Sequence, residues 1–151
     1  MFVGGTNYSL TEFSPSRFAA SDGTDMGAFP YVGDPSPSLM GVLHADKTLS
    51  GANTLAGDLT VPNGVTLTLA PGATLTFAGT DALASGTDTS ETELIVDGTL
   101  AVQATAASNV TLTATGAYGI RAQGTATFDY ATLSGGLYGV LSSGNATFNN
   151  T

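Results

Sequence analysis

Apolar and polar residues alternate in short triplets along the middle of the chain. Leu59-Thr60-Val61, Leu67-Thr68-Leu69 and Leu75-Thr76-Phe77 follow one another at eight-residue intervals, separated by Pro62-Asn63-Gly64 and Ala70-Pro71-Gly72. Apolar–Thr–apolar is the period-2 pattern of a half-buried strand. Pro presets φ and Gly accepts positive φ, so the intervening residues read as corners. A longer beat runs through the C-terminal third. Tyr118-Gly119-Ile120 recurs as Tyr138-Gly139-Val140, and Gly124-Thr125-Ala126-Thr127-Phe128 as Gly144-Asn145-Ala146-Thr147-Phe148, both after 20 residues. Thr74-Leu75-Thr76-Phe77 aligns with Thr99-Leu100-Ala101-Val102 after 25 residues, and the latter with Thr125–Phe128 after 26. Three short strands and three corners per period describe one coil of a β-solenoid.

A single coil cannot bury its inward Leu, Val and Phe, but coils stacked about 4.8 Å apart pair every strand above and below and share one core. The pattern predicts an all-β, right-handed parallel β-helix of about four coils between Thr54 and Thr151. Inward positions include Leu59, Val61, Leu67, Leu69, Leu75, Phe77, Leu94, Val96, Leu100, Val102, Leu112, Ile120, Phe128, Leu133, Val140 and Phe148. Phe77, Phe128 and Phe148 are expected to stack along one wall, with Val102 between the first two. Residues 79–93 break the beat and read as a solvated loop thrown out from one corner. Residues 1–38 keep no period; Pro15, Pro30, Pro35 and Pro37 suggest an irregular strap with a linker near Gly33–Ser38. The β-helix is assigned to 39–151, and Leu39-Met40-Gly41-Val42-Leu43 reads as a short strand or a helical cap.

Three segments carry a family resemblance. Gly57-Asp58-Leu59-Thr60-Val61-Pro62-Asn63-Gly64-Val65-Thr66-Leu67-Thr68-Leu69-Ala70-Pro71-Gly72-Ala73-Thr74-Leu75-Thr76-Phe77 resembles the opening coil of bacterial right-handed parallel β-helix repeat proteins of the pectate-lyase-like superfamily. Leu94-Ile95-Val96-Asp97-Gly98-Thr99-Leu100 resembles their second coil. The stretch from Ser14-Pro15-Ser16 to Asp22-Gly23-Thr24-Asp25-Met26-Gly27-Ala28-Phe29 is similar to the segment that closes such domains, with Phe18-Ala19-Ala20 in place of the usual Asp-Ala-Gly. The resemblance implies a secreted or cell-surface protein. For lyases on this fold it also implies a basic residue that removes the proton α to a uronate carboxylate beside acid-bound Ca²⁺.

Composition narrows the functions. Twelve acids against three bases give a net charge of −9, too acidic and too short of basic residues to bind nucleic acid or anionic lipid. No run is apolar enough to predict a membrane span, and the absence of Cys removes disulfides and thiolate sites. Met1–Gly5 lack the basic and apolar regions of a signal peptide. Few charges and abundant Thr, Ser, Asn and Gly suit an extracellular or cell-surface location.

Catalytic constellations are hard to find. Arg121 is the one base within the coils, and Asp97 and Asp129 align with no second carboxylate, so neither a lyase centre nor a glycosidase pair emerges. No catalytic residue and no cofactor is assigned, and the chain reads as a non-enzyme. Asp22 and Asp25 are the candidate ligands for a Ca²⁺ ion, although a tight turn accounts for them as well. His44 reads as a cap residue. Stacked Thr74/Thr76, Thr99/Ala101, Thr125/Thr127 and Asn145/Thr147 raise ice binding as an alternative, and a carbohydrate-binding domain, with polysaccharide as partner, is another. The leading expectation is a structural solenoid module. Its partners are further copies stacked end to end into a filament, or neighbouring domains of a longer chain. Tyr8, Leu10, Phe13, Met26, Phe29, Val140 and Phe148 form the expected interface.

Overall fold

A computed structural model describes residues 2–4, 7–27, 29–33 and 38–151. Among them the protein is all-β, with fifteen strands and no helix. The strap holds a small antiparallel pair, β1 (Phe2–Gly4) and β2 (Asn7–Leu10). The solenoid then runs through β3 (Leu39–Val42), β4 (Lys47–Leu49), β5 (Ala52–Val61), β6 (Thr66–Leu69), β7 (Thr74–Phe77), β8 (Glu93–Val96) and β9 (Thr99–Gln103). It continues through β10 (Val110–Ala114), β11 (Gly119–Ala122), β12 (Thr125–Asp129), β13 (Ala131–Gly135), β14 (Tyr138–Ser142) and β15 (Asn145–Asn149).

All solenoid pairings are parallel and link each strand to its equivalent one coil away, giving three faces. The first stacks the N-terminal half of β5 with β7, β10 and β13. The second stacks β3, the C-terminal half of β5, β8, β11 and β14. The third stacks β4, β6, β9, β12 and β15. The parallel β-helix read from the repeats is therefore present. It has about five turns instead of about four, because β3, β4 and the start of β5 form a coil of their own. That coil lacks Leu-Thr-Val triplets, which is why its sequence resembled a cap. Leu39–Val42 is a strand, not a helical cap. The linker expected near Gly33–Ser38 falls on 34–37, outside the described residues.

Inward side chains from the three faces form one continuous core. From Leu59 to Ile120 the expected inward residues are all buried, as is Phe128, whereas Leu133 and Val140 are partly buried and Phe148 is 50% exposed. The aromatic wall is different from the expected one. On the third face Leu49, Leu69, Val102, Phe128 and Phe148 follow one another in register, and the Phe128 and Phe148 rings stack with centroids 4.8 Å apart. Phe77 lies on the first face, opposite Leu55. Thr74–Phe77 and Thr66–Leu69 read almost alike, and the 25-residue alignment took the wrong one; the true partner of Thr99–Val102 is Thr66–Leu69, 33 residues back. The extra length is residues 78–92.

One corner explains the conserved spacing of the repeat blocks. Gly98, Gly124 and Gly144 stack between the second and third faces, where an added Cβ would collide with carbonyl oxygens of the coil below: Pro62 and Val65 for Gly98, Gly98 itself for Gly124, and Gln123 and Gly124 for Gly144. Only glycine lets the backbones approach this closely.

Candidate functional site

Acidic residues converge where the 78–92 excursion leaves and rejoins the solenoid. Asp58 on β5 and Glu93 on β8 lie in the same stacked row, since Leu59 pairs with Leu94, and are 2% and 0% exposed. The excursion supplies their partners. Asp58 Oδ1 accepts the Glu93 N–H (2.7 Å), and its Oδ2 accepts the Ser85 hydroxyl (2.9 Å). Glu93 Oε1 accepts the N–H groups of Thr87 and Asp88, both at 2.9 Å. Asp81 folds back, taking the N–H groups of Asp58 and Leu83 on Oδ1 and that of Ser85 on Oδ2. Arg121 on β11 closes the group: its Nη1 donates to Thr87 Oγ1 (2.9 Å), and its Nε lies 3.8 Å from Glu93 Oε2. Glu93 Oε2 itself has no hydrogen-bond partner. Gly86, at φ +71°, backs against both carboxylates, and a Cβ there would strike Asp58 Oδ2 and fall 2.8 Å from Glu93 Oε2.

This arrangement is a clasp. Burial, followed by hydrogen bonds and the nearby charges of Asp81 and Glu93, sets the Asp58 proton affinity, with the net result that its carboxyl is raised above the ordinary range. Residues 78–92 are accordingly pinned to the coils through three carboxylates, and the strand expected to begin after residue 93 begins with Glu93 itself. The sequence showed the acids and Arg121 but not that they meet. Asp58 sits in a motif that resembled an opening coil, on the outer side of a strand whose Leu59 and Val61 point inward, and nothing in its neighbours marks an acid that the excursion would bury.

The strap closes the N-terminal end. Val42 donates its N–H to Phe13 O (2.9 Å), Lys47 pairs with Glu12 (2.9 Å), Arg17 Nη1 donates to Glu12 O (2.7 Å), and His44 Nε2 donates to Ser14 O (2.9 Å). Leu10 and Phe13, expected at an assembly interface, are 1% and 3% exposed within their own chain. Phe13 packs into the core of the first coil and Leu10 against Gly27 within the strap, so neither is exposed to a partner. Asp22 and Asp25 act as turn residues. Asp22 Oδ1 accepts the Thr24 hydroxyl and N–H, and Asp25 takes the Phe18 and Tyr31 N–H groups on its two oxygens; these bonds lower both carboxyls below the ordinary range. Among the described residues no three His, Asp or Glu side chains are grouped so as to hold a metal ion.

At the opposite end of the described residues the last coil is uncovered. β13, β14 and β15 are the last strands of their faces, each with one unpaired edge. Leu137, Tyr138, Leu141 and Phe148 are exposed there, beside a shallow recess of about 450 Å³ lined by Ala131, Leu133, Gly139, Val140 and Phe148. At the far end Tyr8, Met26 and Phe29 of the strap are exposed as well, with Phe2 against the Tyr8 ring and Phe29 bridged to Ser9.

Outward-facing Thr residues form two separate sets of ranks, not the one expected. The first face carries Thr54, Thr76, Thr113 and Ser134 in one row and Ala52, Thr74, Thr111 and Thr132 in the other. The third face carries Thr48, Thr68, Ala101, Thr127 and Thr147 beside Thr66, Thr99, Thr125 and Asn145. Thr74 and Thr76 thus belong to a different face from Thr99 and Ala101. No protein-family model, no curated protein and no solved structure matches the chain.

Proposed function

We propose that the protein is a structural β-solenoid module that lengthens by end-on stacking, the capped end of one copy seating on the open end of the next. The observation that carries this reading is the pair of unlike apolar ends. One presents three unpaired strand edges around a half-exposed Phe148; the other presents the free edge of β1 and the cluster Phe2, Tyr8 and Phe29. Open strand edges are the usual route to strand addition. Such a contact is heterologous and repeats, so it builds rods, not closed dimers. The strands of the last coil carry no acid, and Asp129 one coil back accepts from Asn149 (2.6 Å). The reading assigns no catalytic part to the acidic clasp, whose oxygens, Glu93 Oε2 apart, already hold the loop. The resemblance to bacterial β-helix repeat proteins supports a place outside the cell.

Sedimentation and electron microscopy test it. Wild-type protein should form concentration-dependent rods, whereas Phe148→Asp and Tyr8→Asp should each sediment as monomers. Mixing the two variants leaves one intact contact and should give dimers only. A wild-type monomer at every concentration, or no dimer in the mixture, would refute the proposal.

A further inference from the structure

We infer that the first face, the Thr ranks of β5, β7, β10 and β13, adsorbs to ice. Its eight outward positions hold six Thr, one Ser and one Ala, in three successive pairings without a register shift. The array repeats about every 4.8 Å across the strands and about 6.7 Å along them. Each position therefore offers the same hydroxyl and the same γ-methyl at fixed two-dimensional intervals. The rows are stiff, because the inner strands are paired on both sides and β-branched Thr has few χ1 choices.

The second observation is that these hydroxyls are left uncommitted. Among the described residues those of Thr54, Thr74, Thr76, Thr111 and Thr132 donate to no protein group; within the array Ser134 reaches Thr113 at 3.5 Å. These hydroxyls are free to meet water at the spacing of the rows, and each Thr adds a methyl group beside its hydroxyl. No charged side chain lies on the face to impose a different order on that water. The other two faces fail one of these conditions each. The second carries Ile95, Arg121 and Leu141 outward and lies against the 78–92 excursion. The third is interrupted by Ala101 and Asn145 and ends in the Asp129–Asn149 pair. A lattice is a multivalent ligand, so individually weak contacts made at once give strong adsorption.

Ice recrystallisation in frozen sucrose solution reads this directly. The wild-type protein should arrest grain growth. Thr76→Lys with Thr111→Lys, both at outward positions, should abolish the arrest while leaving the circular dichroism spectrum unchanged. Thr68→Lys with Thr127→Lys on the third face should retain it. The inference does not rest on end-on stacking, and monomeric Phe148→Asp should also retain arrest. Wild-type protein without effect on grain growth overturns the inference, and so does equal loss in the two double variants.

Discussion

Phe128 offers the sharpest test of how the coils are stacked. Its ring is 0% exposed, lies between Val102 below and Phe148 above, and stacks on Phe148 with the planes 6° apart. Truncating a fully buried Phe to Ala costs about 3–5 kcal/mol, the lost transfer energy plus the cavity left behind. Phe148 is 50% exposed, so its truncation should cost about half as much, roughly 2 kcal/mol. Thr127→Ala, one residue away but outward, should cost less than about 0.5 kcal/mol. Because the rings touch, the double variant Phe128→Ala/Phe148→Ala should be less destabilised than the sum, by about 0.5–1.5 kcal/mol. Phe77→Ala combined with Phe128→Ala should show a smaller coupling, since Phe77 sits on another face. Urea unfolding followed by circular dichroism gives these values, and hydrogen exchange of the β12 and β15 amides shows whether the last coils open before the rest, as solenoids allow. Equal costs for Phe128→Ala and Phe148→Ala, or stronger coupling of Phe128 to Phe77 than to Phe148, would refute the wall.

Two further predictions concern the clasp. Replacing 80–91 with a short Gly/Ser turn should cost little in loop closure. It also strips Asp58 and Glu93 of their loop donors, though, and leaving buried charge unpaired costs about 3–5 kcal/mol; adding Glu93→Leu to the same deletion should recover much of the loss in thermal denaturation. Asp58 is raised above the ordinary carboxyl range by burial, so the native state binds its proton more tightly than the unfolded chain does. The stability it confers is therefore complete at pH below the ordinary carboxyl value and declines as pH rises through the raised one. Asp58→Asn should remove that decline from a stability–pH curve, and an unchanged curve would contradict the shift.

The sequence was legible wherever period and residue type agreed. Leu-Thr-Val triplets, Pro-Gly corners and the doubled Gly-x-Ala-Thr-Phe block named the architecture and most inward positions, because stacking rewards identical side chains at identical places. It misled where two segments of one coil look alike. Thr66–Leu69 and Thr74–Phe77 are both Thr-apolar-Thr-apolar, and only the 78–92 excursion, by changing the step to 33, decides which one lies beneath Thr99–Val102. The strap was read as a surface for a partner because no periodic context ties Phe13 to the first coil or folds Leu10 against the strap's own Gly27. The acidic clasp was invisible for a related reason: pairing in a solenoid is long-range, and the residues that meet there come from β5, the excursion, β8 and β11.

Stacking also explains where the acids had to go. A charge placed on a strand meets the equivalent residue of the next coil about 4.8 Å away, and like charges at that distance destabilise the pair. Asp129 obeys this limit, with neutral Gln103 and Asn149 as its neighbours in register. Asp58 and Glu93 break it, being adjacent in one row and buried together. They do so only where the chain departs from the helix for 78–92 and brings back the N–H groups of Thr87 and Asp88, the Ser85 hydroxyl and a Thr87 contact for Arg121. The excursion is long enough to fold those donors over the pair, and Gly86 leaves the room for both carboxylates beneath it. Loop and acid pair are thus one unit: without the loop the row could not hold two buried acids, and without the acids little would hold so polar a loop against the coils.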